Sequence, residues 1–576
     1  MIRKRLFSLI FVVTALLFWI FFRPEWLNYH EQYQLFQFSF DYLIEHLSLP
    51  GGMAVYASEF LVQFFYNTYL GAIVVAGVLC GIGLLTKEIV QKGFEISAPE
   101  PLFYLPSALI WAYSGDEKML FTFPTAILLS LVATYIFLKA KGRKQIYIKL
   151  ALIPIIYWLI GYCVWIYIIT IGIVHIKNSV DKLKAFGMLV AEALYCIGIQ
   201  FFVAYVITRN YPLIDIFCGI GYYYERMTIP FWQHLITITI IVMPLLAYIT
   251  TKIKAVAAFY ASAAVCIGII VYTSLVGYDA FKYSFIKIDY LTRAQKWEEL
   301  LDFAKKVKQP SDFAATGINL ALAMTNQLPD RLFEYNQTGN GGFLTKFEYN
   351  SFSCGPTAEA CYYLGLINSV LRYNFDMQSG ILTCKNSGRF YKRIAEAYIL
   401  NQRYDVAQRY LTKLKQTLFY RAWALQAEER MGDKTRMHEN DDWARIDRMR
   451  LRNEYNYTFT EMDHMMMALF ENCPDNKMAI DYALCICLVN RDLKSFIAYM
   501  PYYTKAYGKA NLPLIYQQAY AWVCYQNGYK IENMPDFISE QTRKELKDFN
   551  YTYLLNPKAL ERGRFANSFW KYIVMN

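Results

Sequence analysis

Apolar positions run almost unbroken through the first half of the chain and only in periodic stripes through the second. Between Leu6 and Gly277 the runs approach the roughly 20 residues that a helix needs to cross a bilayer. They cover 6–22, 60–86, 100–113, 119–138, 146–176, 186–208, 231–250 and 255–277, and after Asp279 no such run recurs. The fifth, with Gly161 at its centre, reads as one long helix or as two, 146–160 and 162–176. The first run ends in Phe21-Phe22-Arg23-Pro24, not in the small residues of a cleavage site, so an uncleaved signal anchor is expected.

From about Trp297 the pattern becomes short amphipathic helices parted by Pro, Gly, Asn or Asp. Expected helices are 297–308, 312–327, 358–373, 390–401 and 404–418. The fold class is therefore all-α. A polytopic transmembrane domain occupies 1–277, with about nine spans, and a soluble helical domain follows over 278–576. In the pair 390–418, Ile394, Ala395 and Tyr398 face Tyr404, Ala407, Leu411 and Leu414. That order of large, small and aromatic positions resembles a tetratricopeptide repeat, with weaker echoes at 297–330 and 476–525. The resemblance implies a solenoid of stacked helix pairs with a concave face for a partner.

Between the first two runs lies a segment, 23–59, too long for a connector. Leu35, Phe36, Phe38, Phe40, Leu43, Ile44 and Leu47 alternate there with Gln34, Gln37, Asp41, Glu45 and His46. This is the pattern of a helix lying on a membrane surface, and Leu49-Pro50-Gly51-Gly52 ends it.

Charge orients the spans. Up to Gly277, 19 basic residues stand against 14 acidic, and beyond it 39 against 33, giving net charges of +5 and +6. So mild an excess demands no phosphate-tracking surface, and nucleic acid is not an expected partner. With two helices in 146–176, loops on the N-terminal side hold 15 Lys/Arg and the opposite loops four, namely Arg23, Lys118, Arg209 and Arg226. A single helix there makes the split 12 against seven. Positive loops stay cytoplasmic, which favours two helices. The expected location is a bacterial cytoplasmic membrane, with the N-terminus inside and the C-terminal domain extracytoplasmic.

Acids gather on the expected outer side: Glu31, Asp41, Glu45 and Glu59 in the first outer segment, then Asp116 and Glu117 in the next loop. Carboxylates beside a membrane surface suit a general base or a divalent cation. The layout over residues 1–140 resembles the membrane glycosyltransferases of GT-C type that use lipid-linked sugars. By position, the resemblance implies Glu31 or Asp41 as the first catalytic acid and Asp116 or Glu117 as the second, with a divalent metal as cofactor. No Asp-x-Asp pair is present. The same acids also suit the solvated face of a surface helix. Glu192 falls inside a run, where an ionisable group is costly and so a functional candidate.

The six histidines show no zinc spacing, and no phosphate-cradling loop, nucleophile elbow or dinucleotide fingerprint occurs. Of 12 cysteines, seven follow Gly277, an odd number that leaves at least one free thiol; Cys354 and Cys384 flank one loop-helix unit and are candidates to pair. The block His30-Glu31-Gln32-Tyr33-Gln34-Leu35-Phe36, then Pro50-Gly51-Gly52, Gln63-Phe64-Phe65-Tyr66 and Tyr516-Gln517-Gln518-Ala519 resemble an uncharacterised family of bacterial multi-pass membrane proteins. Two readings follow. One is an envelope protein whose helical domain binds or scaffolds a protein or glycan beside the bilayer. The other is a glycosyltransferase whose solenoid positions the acceptor.

Overall fold

A computed structural model describes residues 6–140, 145–218, 230–307, 311–346, 354–381, 386–451, 458–508 and 512–575. The chain forms two compact units. One comprises Met1–Ala280 with Lys385–Gly388 and Gln416–Arg421; the other comprises Phe281–Cys384, Arg389–Lys415 and Ala422–Asn576. Helix is the regular structure throughout, and no strand occurs among the described residues.

Among the described residues of the first unit six helices, not nine, are long and apolar enough to span a bilayer: Thr68–Phe94, Thr122–Lys139, Ile146–Asn178, Lys182–Ile207, Phe231–Thr251 and Ala255–Leu275. A seventh arises if Leu6–Phe22 and Pro24–Glu31, bent by 79°, count together. The bend falls at Arg23, whose φ of −138° leaves the helix, and Pro24 then opens the next one. The expected span at 100–113 is divided into Glu100–Phe103 and Leu105–Tyr113. At about 1.5 Å per residue, nine residues reach less than half a bilayer core. The short helix is instead buried along its length, packed on Thr68–Phe94, Phe231–Thr251 and Ala255–Leu275.

No loop divides Ile146–Asn178, a continuous helical run of 33 residues. It is not straight. Gly161 adopts φ +72°, which reorients the axis, and a 3-10 turn over Gly161–Cys163 follows. Lys149 pairs with Glu192, while Gly172 abuts Leu189 on the same helix. In a straight helix residues 149 and 172 would lie about 34 Å apart, so the two halves fold back toward one stretch of Lys182–Phe202.

Contacts sort the helix ends of this unit into two groups. At one, Lys177 Nζ donates to the Phe94 carbonyl at 2.6 Å, Gly93 packs against Val174 and Leu138, and Lys92 and Lys139 lie over the Tyr135 ring. At the other, Arg23 stacks on Tyr278 at 3.6 Å, Gly115 meets Gly277, and Gln233 donates to the Tyr113 hydroxyl at 3.3 Å. Large apolar side chains such as Leu9, Phe21, Ile136, Leu194, Ile238, Leu245, Val265 and Ile267 stand exposed on these helices. Within a bilayer such side chains would need no polar partner.

The 23–59 segment is not one surface helix. It forms Pro24–Glu31, an extended stretch, Phe40–Leu47 and then Gly52–Val62. Ser39 caps the third piece by accepting from the Tyr42 N–H at 3.2 Å. Leu35 and Phe36 are buried, whereas Phe40 and Ile44 face outward. Trp158 fastens the 47–51 turn, donating its indole N–H to the Leu47 carbonyl and accepting from the Gly51 N–H, both at 2.8 Å.

The second unit is a succession of helices packed on their neighbours in chain order, including Trp297–Ala304 on Asp312–Met324 and Lys477–Val489 between Met462–Asn472 and Leu493–Tyr507. Side-chain caps begin many of them: Ser311, Asn440, Asn476, Asp492 and Ser539 each accept from a backbone N–H three residues on. The helix expected at 358–373 is two, Cys354–Leu364 and Ile367–Gly380. Gly365 between them takes φ +81°, and a Cβ there would lie 2.8 Å from the Arg450 backbone. In 390–418, Ile394, Ala395, Ala407, Leu411 and Leu414 are all fully buried.

Candidate functional site

Helices Phe40–Leu47 and Gly52–Val62 enclose a polar trio that periodicity did not single out. Tyr42 donates its hydroxyl to Glu59 Oε2, and His46 Nε2 lies 2.9 Å from the same oxygen. His46 Nδ1 lies 2.8 Å from the Tyr42 carbonyl, which only accepts, so Nδ1 carries a proton. The Nε2–Glu59 contact needs a second proton, on the ring or on the carboxyl. The dyad thus shares one, in a site where both side chains are less than a tenth exposed. Burial beside Glu59 pushes the Tyr42 hydroxyl far above the ordinary tyrosine range. The i, i+4 spacing of Tyr42 and His46 was readable; Glu59, across a turn, was not.

The four expected acids part company. Glu31 is buried, 2% exposed, and accepts from the Tyr420 hydroxyl at 3.0 and 3.2 Å. Tyr420 belongs to the short 416–421 segment of the same unit, where Phe38 N–H donates to the Gln416 carbonyl at 2.9 Å and the Phe419 ring meets Phe64 and Tyr66. Glu31, Gln34, Gln63, Thr417 and Tyr420 line a narrow cleft there. Glu117 lies close enough to Tyr33 that, after burial and Tyr29, it helps to hold that hydroxyl well above its ordinary value. Asp116 folds back on its own turn, accepting from the Lys118 N–H at 2.9 Å. Asp41 is exposed in the first turn of Phe40–Leu47 and makes no hydrogen bond or ion pair among the described residues. So the 23–59 segment and the 114–118 turn do approach, through Tyr33 and Glu117, but the acids do not converge on one solvent-facing pair. Nor do three or more His, Cys, Asp or Glu side chains group as metal ligands among the described residues.

Beside Glu31 lies an aromatic cluster. The Trp26 ring packs tilted against His30 with centroids 3.9 Å apart and against Trp19 at 4.7 Å; Trp19 in turn lies 6.5 Å from Trp111. The three indole N–H groups and His30 Nε2 are buried without a hydrogen-bond partner among the described residues. Buried polar atoms are nearly always satisfied, so such a set marks a place where protein, water or ligand chemistry converges.

Glu192, expected in a span, is paired with Lys149, and both are buried. The partner accounts for the charge at that depth. Cys354 is buried in its helix; Cys384, the partner considered for it, lies outside the described residues, as do Arg3, Lys4 and Arg5. The other cysteines of the second unit form no disulfide among the described residues, and burial raises the thiols of Cys361, Cys485 and Cys487 well above the ordinary range.

Against known proteins, residues 1–576 match the model of a family of unknown function, DUF6057. No curated protein and no solved structure matches.

Proposed function

Since the chain belongs over its whole length to the DUF6057 family, which has no assigned function, we propose from its own residues that it is a multi-pass bacterial inner-membrane protein. Its helical C-terminal region binds a protein or glycan partner in the cell envelope. The grouping of helix ends carries the orientation. Lys92, Lys139 and Lys177 share one end of the membrane unit, while Arg23 and Tyr278 meet at the other. By the positive-inside rule the lysine end faces the cytoplasm, so the chain leaves the membrane unit on the outer side. The burial of Ala395 and Ala407 between larger residues supports the tetratricopeptide-like reading of 390–418. Against catalysis by the expected acids stands Glu31, enclosed and bonded to Tyr420 rather than presented to a substrate.

The second reading, a lipid-linked-sugar glycosyltransferase with Glu31, Asp41, Asp116 and Glu117 as its acids, draws support from the Trp19, Trp26, Trp111 and His30 cluster, whose rings and N–H groups suit a sugar. Replacing the four acids in turn by Asn or Gln and comparing envelope glycans by mass spectrometry separates the two. Unchanged glycans in all four variants are expected; loss of one glycan in any variant would establish the enzyme.

A further inference from the structure

Trp297–Ala304 packs on Asp312–Met324, and both helices contribute small residues to a cavity of about 110 Å³ that opens to the surface of the helical unit. Ala304, Ala314, Ala315 and Ile318 form its floor. Each is less than a tenth exposed, so the hollow reaches inward past the surface. It exists because larger side chains at the alanine positions would fill the space between the helices. The charges at the mouth are committed to neighbours. Lys305 Nζ pairs with Asp302 at 2.9 Å, and Glu334 accepts from Arg331 Nε at 2.7 Å. The Tyr335 hydroxyl is committed as well, donating to the Leu301 carbonyl at 3.4 Å and accepting from Arg331 at 3.1 Å.

Two lining groups keep hydrogen-bonding capacity. Ser311 Oγ accepts from the Ala314 N–H at 3.2 Å as a helix cap, and its own O–H meets no acceptor among the described residues. The exposed Asn336 amide makes no hydrogen bond among the described residues.

Size and chemistry narrow the occupant. A dry cavity of about 150 Å³ holds a benzene ring, so in the same proportion 110 Å³ holds about four carbon atoms, the content of a leucine side chain. With each mouth charge already paired, no net charge is demanded of the ligand. A hexose has about twice the heavy atoms of benzene, and its hydroxyls would be stranded on a floor of methyl groups. A peptide group instead offers one acceptor and one donor, the complement of the Ser311 hydroxyl and the Asn336 amide. We propose that this cavity receives a leucine-sized aliphatic side chain of a partner polypeptide, whose adjoining peptide group pairs with Ser311 and Asn336. This rests on the partner-binding reading of the helical unit and selects a protein over a glycan as the partner.

The test is saturation-transfer NMR titration of the full chain, reconstituted in lipid nanodiscs, with N-acetyl-leucinamide, N-acetyl-phenylalaninamide and methyl β-glucoside. One such side chain supports a dissociation constant of roughly millimolar order, which this method reads. Saturable binding of the leucine amide alone is expected. A315L fills the cavity and weakens that binding by about tenfold or more. N336A leaves the cavity intact, removes one partner of the peptide group and weakens binding about threefold or more. I318A removes three side-chain carbons, widens the cavity to the size that holds an aromatic ring, and so gains the phenylalanine amide. Misfolding does not mimic that exchange of preference, so I318A decides alone if A315L fails to fold. Equal affinity of A315L and wild type, no gain by I318A, binding of the glucoside in place of the leucine amide, or no saturable binding by any probe overturns the proposal. So does an affinity that falls as protein concentration rises, which would make a second copy of this chain the occupant. Failure of amide binding would leave the glycan comparison untouched, so the two readings fall separately.

Discussion

Glu59 shows how much one carboxylate can organise. It accepts from Tyr42 and shares a proton with His46, all within two helices of the 23–66 region. E59A strands both partners in a buried site and should cost about 3 kcal/mol, as breaking a buried hydrogen-bonded ion pair does. E59Q keeps an acceptor for the tyrosine and should cost less. Unfolding of the detergent-solubilised protein, followed by tryptophan fluorescence, reads both; equal stability of E59A and wild type would dissolve the trio. Asp481 gives a pH signature at the same scale. Its folded value, about 7, stands above the ordinary 3.8. The folded state therefore holds its proton longer than the unfolded chain does. Its contribution to stability is complete below pH 3.8 and is lost as pH rises to 7. D481N should flatten that part of the stability–pH curve; an unchanged slope would refute the assignment.

At the level of elements, capping and turn chemistry were plain in the chain. Leu49-Pro50-Gly51-Gly52 does end a helix, at Leu47, and Asp279 follows the last long apolar helix. Lengths were less legible, because a run of apolar residues does not say how its helix is interrupted. The run 146–178 contains Gly161, and only the observed φ of +72° shows that this glycine redirects the axis. G161A should cost about 1–2 kcal/mol from the left-handed strain alone, measurable as a lowered Tm of the intact protein. G365A should do the same in the helical unit, with an added clash against the Arg450 backbone. If either variant melts like wild type, the backbone there is not as described.

For the whole molecule, orientation is the property most open to test. A reporter fused at Asn576 should be active only outside the cytoplasm, because Tyr278 leaves the membrane unit beside Arg23 and away from the lysine end. Cytoplasmic activity would invert the proposal. Y420F removes the hydroxyl that Glu31 accepts and should cost about 1–2 kcal/mol without altering envelope glycans. Of the expected site, Glu31 and Glu117 lie far apart in the chain, and only the resemblance to lipid-linked-sugar glycosyltransferases linked them. That Glu31 is enclosed could not be foreseen, because its partner stands 389 residues away in a segment that reads as an ordinary helix end.

What the amino-acid order settled alone is whatever acts within a few turns of the chain. Apolar runs of bilayer length, stripes of helical period and caps at Ser, Asn and Asp make the described chain all-helical, with the helices long and apolar enough to cross a bilayer in its first half. Tertiary structure alone decided which polar groups meet. Tyr420 on Glu31 and Lys149 on Glu192 join residues far apart in the chain. The cost of burying a charge depends on its neighbours in space, and local sequence does not specify them.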